Sequence, residues 1–112
     1  MADIITVEET AAVAMAYSLD PGFAFELIDF TLHLNATAGT SEDFTVTKNA
    51  GAGAAYDTLI YTKDLSTLSS PNVYFSTQPE EFVFEDGDTL DFAFTNTSLN
   101  TYGLQIKYRR KA

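Results

Sequence analysis

The chain contains no cysteine, and this absence excludes a disulfide scaffold, a thiolate metal site and a cysteine nucleophile. Tryptophan is also absent, and the chain has a single histidine and three prolines. No run of about 18 apolar residues occurs, so we expect no helix that crosses a membrane. The first ten residues, MADIITVEET, are acidic where a secretory signal peptide requires positive charge, which predicts that the chain is not exported by that route.

Positive charge is scarce and is concentrated at one end of the chain. Sixteen acidic residues face six basic ones, for a formal net charge of −10. The bases of the final segment are Lys107, Arg109, Arg110 and Lys111. So acidic a body repels nucleic acid and anionic membranes, and we expect neither as a partner. The basic end is either a contact for an acidic partner or a solvated tail that offsets the charge of the body.

Aromatic and β-branched residues are plentiful and favour strands over helices. Near the end of the chain, apolar residues recur at every second position, which is the period of a strand with one buried face. The inward-facing set predicted there comprises Leu90, Phe92, Phe94, Tyr102, Leu104, Ile106 and Tyr108. The same rule predicts further inward-facing residues upstream, namely Ile28, Phe30, Leu32, Leu34, Phe44, Val46, Phe82 and Phe84.

Turn signals separate these runs and predict how the strands are connected. Asp20-Pro21-Gly22 is typical of a tight turn, and NAGAG (49–53), SSPN (69–72) and NTSLN (96–100) are predicted loops. Asp86-Gly87 predicts a hairpin between a strand ending near Glu85 and one starting near Asp88. The early segment TVEETAAVAMAYSLD is compatible with one or two strands or with a short helix, and we expect extended structure there.

Strands at roughly 8–12-residue spacing predict a sandwich or a barrel. We therefore expect an all-β protein, an antiparallel β-sandwich of about eight strands with jelly-roll topology. A chain of 112 residues is long enough for one core, so residues 1–112 are predicted to form a single domain, with residues 1–22 as a possible N-terminal arm.

The candidate chemical groups do not assemble into a catalytic or metal-binding motif. His33 has Asp29 on the same predicted strand face but lacks further ligands, and a surface or interface histidine is the simpler interpretation. EDGDTLD (85–91) clusters carboxylates without the spacing of a calcium loop. GAGAAY (51–56) leads into a strand rather than the helix that a phosphate-binding loop requires. Nothing in the sequence sets a distance between Glu80-Glu81 and Glu42-Asp43 that would suit glycoside hydrolysis. We therefore expect no enzymatic activity, metal or cofactor.

Several aromatic residues do not fit the inward-facing sets, and such residues are typical of a contact face for protein or sugar. They are Tyr17, Phe23, Phe25, Tyr56, Tyr61 and Tyr74. The alternative is that they cover strand ends or the other half of the sandwich. We predict partner contacts at two of these aromatics and at three residues of the basic end: Tyr17, Phe23, Lys107, Arg109 and Arg110.

Four segments of the chain resemble small structural proteins of tailed-bacteriophage virions, and more narrowly the jelly-roll capsid decoration, or cement, proteins. The segments are TSEDFTVT, AAYDTLIYT, GDTLDFAFTNT and TYGLQIKYR, and the resemblance covers roughly residues 24–110. It rests on strand rhythm and on Ser41-Glu42-Asp43-Phe44, Gly87-Asp88-Thr89-Leu90 and Tyr102-Gly103-Leu104.

The resemblance implies a virion structural protein on the outer surface of the capsid. It implies attachment to a major capsid protein, so that neighbouring capsid subunits are bridged, and it implies self-association. The surplus aromatics also predict a homo-oligomer, and we expect a trimer rather than a dimer. The alternatives are a tail, neck or head-fibre protein and, in a different class, a carbohydrate-binding module that uses exposed tyrosines.

Overall fold

Nine strands and two short 3-10 helices make up residues 3–111, the part of the chain that the computed structural model describes. The strands are β1 (Ile4–Ala11), β2 (Met15–Leu19), β3 (Phe25–Leu34), β4 (Asp43–Asn49), β5 (Thr58–Asp64), β6 (Asn72–Ser76), β7 (Val83–Phe84), β8 (Thr89–Phe94) and β9 (Tyr102–Arg110). The 3-10 helices are Ala54–Tyr56 and Leu65–Thr67. Neither helix is long and apolar enough to cross a bilayer, and the described residues contain no other.

Two antiparallel sheets form the sandwich. Sheet A has the strand order β1-β9-β3-β6, with β7 added beside β3, and sheet B has the order β2-β8-β4-β5. Consecutive strands cross between the sheets except from β4 to β5 and from β6 to β7, and the first strand pairs with the last, which is jelly-roll topology. The predicted fold class is therefore confirmed. The early segment TVEETAAVAMAYSLD, which the sequence left compatible with strand or helix, contributes to β1 and β2. These two strands are the edges of sheet A and sheet B, so they pack in the sandwich and do not extend from it as an arm.

The strand periodicity predicted the core residues well, with one shift in β3. Leu90, Phe92, Phe94 and the alternate residues of β9 from Tyr102 to Tyr108 are buried. In β3 a bulge between Leu27 and Asp29 inserts Ile28 as an extra residue. The bulge changes which face alternate side chains occupy, so Phe25 and Leu27 are buried before it, and Phe30 and the following even-numbered residues are buried after it. Ile28 itself is only half-buried.

Phe30 is the centre of an aromatic cluster that joins the two sheets. Its ring centroid lies 4.9 Å from that of Phe75 in sheet A, and 5.9, 5.7 and 5.5 Å from those of Phe44, Tyr61 and Phe92 in sheet B. The contacts with sheet B are edge-to-face, an arrangement that aromatic pairs favour over a face-to-face sandwich. Phe30 therefore connects the aromatic residues of the two sheets, in a core that also fully buries Phe44 and Phe92.

The Asp86-Gly87 turn forms as predicted, but the prediction that it closes a hairpin is wrong. The Asp88 N–H donates to the carbonyl of Glu85 at 3.0 Å, and Gly87 has a φ of 100°, which favours glycine. Strand β7 pairs with β3 in sheet A, whereas β8 pairs with β2 and β4 in sheet B. The turn thus carries the chain from one sheet to the other, because local turn chemistry specifies backbone angles and not the strand's partner.

Asp88 is buried immediately after this turn and holds two loops together. Its carboxylate accepts hydrogen bonds from the N–H of Gly51 at 2.8 Å and of Glu85 at 2.9 Å, and Lys48 Nζ lies 3.6 Å away. Burial alone raises the pKa of the Asp88 carboxyl, but the two N–H groups and Lys48 outweigh burial and hold that pKa below its ordinary value.

The aromatic cluster predicts that Phe30→Ala lowers the free energy of unfolding by about 3–5 kcal/mol, through lost burial and an unfilled cavity. The matched control is Tyr74→Ala, which removes a 68% exposed ring from the outer face of the adjacent strand and should change stability by less than about 0.5 kcal/mol. Urea unfolding of both variants gives the comparison. Equal effects would show that the cluster does not hold the sheets together.

Asp88 predicts a pH-dependent contribution to stability. Because its pKa is lower in the folded chain than the roughly 3.9 of an unfolded aspartate, its contribution is present above about pH 4 and is lost as the pH falls through the folded value. Asp88→Asn should cost about 1–3 kcal/mol at pH 7, since buried N–H donors lose a charged acceptor, and the difference from the parent protein should shrink in acid. Unfolding measured from pH 7 to pH 2 checks this, with the exposed neighbour variant Asp86→Asn as control. A difference that stays constant with pH would contradict the assignment.

Candidate interaction surface

Strands β1 and β2 are the edges of their sheets, and the side chains between them form a partly open lateral surface, which we call the β1–β2 seam. It comprises Ile5, Val7, Glu9, Tyr17, Phe23 and Arg110. Ile5 and Val7 stand opposite Tyr108 and Ile106 of β9, so they share the inward-facing side of sheet A. Ile5 nevertheless keeps 36% of its surface exposed, because no further strand of the described chain covers this side.

Tyr108 brings the two predicted aromatic contacts to the same place. Its ring lies 6.3 Å from that of Phe23, in the connection between β2 and β3, and its proximity to Tyr17 of β2 contributes, after burial and Glu9, to the raised pKa of Tyr17. The guanidinium of Arg110 lies 4.8 Å from the centre of the Phe23 ring, which is a cation–π contact. Tyr17 and Phe23 are both half-buried against the core, so each presents only part of its ring to a partner.

Glu9 places a negative charge on the seam, in addition to the positive charge of Arg110. Burial, followed by the nearby Glu9 carboxylate, raises the pKa of the Tyr17 and Tyr102 hydroxyls above their ordinary value. Both phenols therefore stay protonated at neutral pH and remain hydrogen-bond donors. The seam thus combines apolar side chains, the phenolic hydroxyl of Tyr17, one acid and one base.

Of the three bases predicted to contact a partner, Arg109 forms a salt bridge within the chain, and so does the neighbouring Lys111. Arg109 Nη1 lies 3.4 Å from Oε1 of the buried Glu26, and Lys111 Nζ lies 2.6 Å from Glu80 Oε1. That hydrogen bond lowers the pKa of Glu80 and raises the pKa of Lys111. Arg110 covers Phe23, whereas Lys107, on the outer face of β9 between Thr6 and Asp29, has no salt-bridge partner within residues 3–111. The structure therefore separates the three predicted bases: Arg110 lies on the seam, and Lys107 and Arg109 lie on the outer face of sheet A.

The edge backbone of β1 is the second component of this surface. All eight residues of β1 pair with β9 on one side, and the other side has no strand beside it in the described chain. Nearly every β1 side chain is exposed or half-buried, including Ile4 at 50%. An uncovered edge of this kind is able to hydrogen-bond an additional strand.

The other aromatics of the sequence prediction divide into core and surface residues. Phe25 is fully buried and stacks on Phe84 with ring centroids 4.6 Å apart, and Tyr61 packs against Phe30 and Phe75. Tyr56 and Tyr74 are 65% and 68% exposed. Sequence alternation did not identify Phe25 because the bulge in β3 reverses the face that it occupies.

The groups considered for chemistry are engaged in structural contacts. His33 Nδ1 lies 2.5 Å from Asn72 Oδ1 on the exposed outer face of sheet A. The N–H of Glu80 donates to the Glu26 carboxylate near the start of β3. Glu42 follows the other end of β3, and its carboxylate accepts hydrogen bonds from Thr97. Glu80 and Glu42 therefore lie at opposite ends of the sandwich.

The possible calcium and phosphate loops are likewise occupied by contacts within the chain. The N–H of Ala50 donates to Asp57 Oδ1 at 2.8 Å, and the N–H of Gly51 donates to Asp88. No group of three or more His, Asp or Glu side chains with metal-binding geometry occurs in the part of the chain that the structure describes.

Sequence reasoning missed the contribution of β1 to the seam. Ile5, Val7 and Ala11 occupy alternate positions and signal an inward-facing side, but Glu9, the third position of that series, breaks the apolar pattern. The acid is tolerated because this edge is open to solvent.

No protein-family model matches the sequence, and no curated protein matches it. Among solved structures, the crystal structure of the Yersinia pseudotuberculosis-derived mitogen is similar, with a TM-score of 0.47 and 11% sequence identity. The alignment covers 99% of this chain and 88% of the mitogen chain. A likeness at this level does not indicate what the chain binds.

Proposed function

We propose that this protein is a capsid decoration, or cement, protein that binds on the outer surface of a tailed-bacteriophage shell and bridges neighbouring major capsid protein subunits. The observation that carries the proposal is the β1–β2 seam, which places exposed Ile5, half-buried Tyr17 and Phe23, and an uncovered strand edge on one side of a strongly acidic chain. The resemblance of its strand segments to jelly-roll decoration proteins supports the same function.

The seam has the composition of an association surface. Aromatic residues and arginine are enriched at the centres of protein interfaces, and Tyr17, Phe23 and Arg110 provide both. Partly packed rings lose little conformational freedom on binding, so more of the burial energy is available for affinity. The β1 backbone adds directional hydrogen bonds that set the register of a partner strand.

Decoration needs no chemical step, because binding alone stabilises the shell. A protein that binds the assembled shell more tightly than free subunits shifts the equilibrium towards assembly by mass action. Repetition of one modest contact across a lattice, with copies also contacting each other, multiplies its effect. The acidic body keeps unbound copies from associating nonspecifically.

A tail, neck or head-fibre protein would use the same seam on a different particle component. Mass spectrometry of purified virions separates these alternatives through copy number. A copy number comparable with that of the major capsid protein supports decoration, whereas a copy number typical of a single ring or fibre contradicts it.

The seam predicts that Ile5→Ser lowers affinity for undecorated, expanded capsids by about tenfold or more, because it removes an exposed apolar contact beside the open edge. The matched control is Leu59→Ser on β5, the edge of sheet B opposite β2, where an equally apolar side chain is 55% exposed. Cosedimentation with capsids measures both.

A second pair of variants tests the basic residues. Lys107→Gln and Arg110→Gln leave the Arg109–Glu26 pair intact, and we expect a smaller loss of affinity than for Ile5→Ser, one that diminishes as salt is raised.

The first two variants also have an outcome that would contradict the seam. If Ile5→Ser binds capsids like the parent protein while Leu59→Ser does not, the contact surface is on the opposite side of the sandwich.

The open seam also predicts self-association, with a trimer expected because a closed ring covers one edge of every subunit. Sedimentation velocity should show a species of three times the 12.3 kDa chain at high concentration, and Ile5→Ser should shift it towards monomer. A single 12.3 kDa species at all concentrations would contradict self-association in solution.

A further inference from the structure

The outer face of sheet A carries a polar row with an exposed aromatic ring at one end. Tyr74 of β6 stands opposite Thr31 of β3, Thr31 opposite Gln105 of β9, and Gln105 opposite Glu8 of β1. Cross-strand neighbours share a face, so these four side chains form one line across the sheet. The row lies on a sheet face, whereas the β1–β2 seam lies on a lateral side, so the two surfaces are distinct.

A shallow depression of about 480 Å³ lies beside this row, within the roughly 300–1,000 Å³ typical of small-molecule sites. Its floor is Gly103, which stands between Thr10 of β1 and His33 of β3. A side chain at Gly103 would meet no atom within 4 Å, so the depression exists because this strand position has no side chain. The other lining residues supply hydroxyl, amide, carboxylate and apolar groups, and they are Glu8, Glu9, Thr10, Thr31, Leu104 and Gln105. Of these, Glu9 also belongs to the β1–β2 seam.

The ring of Tyr74 stands on the outer face of β6 and is not part of the aromatic core. It is 68% exposed, while its neighbours Val73 and Phe75 point into the sandwich. A flat aromatic ring on a rigid strand is suited to stacking against an apolar ligand face. Tyr74 and Gly103 are two strands apart, a lateral distance of about 10 Å at ordinary strand spacing, and the intervening Thr31 also lines the depression.

The acidic side chains of this face are only partly offset by bases, and the whole chain carries a net charge of −10. Glu26 pairs with Arg109, whereas Lys107 stands opposite Asp29 without a salt bridge to it among the described residues, and Glu8 Oε2 accepts a hydrogen bond from the neutral Gln105 Nε2 at 3.3 Å. An anionic ligand is repelled by the acidic body, and a cation would have to compete for a Glu8 carboxylate that is already engaged. A neutral ligand rich in hydroxyl groups matches the polar lining and is not repelled by its remaining negative charge.

We propose that the outer face of sheet A is a binding site for neutral saccharides, with Tyr74 as the stacking platform and the Gly103 depression as the subsite for an adjacent sugar. A pyranose has an apolar face that stacks on a ring and hydroxyls that donate and accept hydrogen bonds. Thr31, Gln105 and Glu8 supply both kinds of partner within the lined depression. This site goes beyond the proposed decoration function and shares only Glu9 with the seam.

The test is titration of isotope-labelled protein with neutral hexasaccharides of glucose, N-acetylglucosamine, mannose and galactose, followed by NMR. We expect at least one of them to shift the backbone signals of Thr31, Tyr74, Gly103 and Gln105. Tyr74→Ala should weaken binding about tenfold or more, as removal of an anchoring aromatic does. Tyr56→Ala is the matched control, since that ring is 65% exposed but lies in the first 3-10 helix.

Gly103→Val provides a second, independent variant. Its side chain points into open space and a β-branched residue suits a strand, so the fold should be retained while the depression is filled and binding is lost. Thermal unfolding confirms that the variant is folded. Both Tyr74→Ala and Gly103→Val should bind capsids like the parent protein, which separates this site from the decoration function. Absence of binding to all four saccharides, or binding unchanged in both variants, would overturn the proposal.

Discussion

Aromatic packing between the two sheets is the interaction on which the rest of the structure depends. Phe30 contacts rings from both sheets, and the alternate residues of β8 and β9 close the same interior from opposite sides. Because side chains alternate along a strand, burying this set places every intervening residue on an outer face. The surfaces available for binding are therefore consequences of the core, and they are held on rigid strands.

The sandwich leaves two kinds of surface, and their chemistry differs. At the lateral edge, β1 and β2 cannot be covered by another strand of the described chain, so an apolar seam and an uncovered backbone remain. The inward-facing residues of sheet A already form the core, so the residues of its outer face do not need to be apolar. Thr31 and Gln105 on that face are polar. The first surface suits a protein partner that buries apolar area and adds a strand, and the second suits a small hydroxylated ligand.

Buried carboxylates show how an acidic chain tolerates its own charge. Asp88 is neutralised by backbone N–H groups and Lys48, and Glu26 by Arg109 and the N–H of Glu80. Both carboxylates accept hydrogen bonds from N–H groups of loops, so they also hold these loops against the sheets. At the basic end of the chain, Arg109 and Lys111 form salt bridges with Glu26 and Glu80. Arg110 forms no salt bridge among the described residues and lies over Phe23 on the seam, where a partner can reach it.

The sequence by itself determined the strand periodicity, the sandwich class and most of the core, because a period of two between apolar residues is a local property that survives any choice of strand partner. It also located the tight turn at Asp86-Gly87, since glycine's freedom at positive φ is equally local. Tertiary structure alone decided that this turn crosses between sheets, that the bulge at Ile28 buries Phe25, and that Tyr108 unites Tyr17 and Phe23. Each of these depends on which distant strand lies alongside, and strand pairing is set by long-range packing that local pattern does not encode.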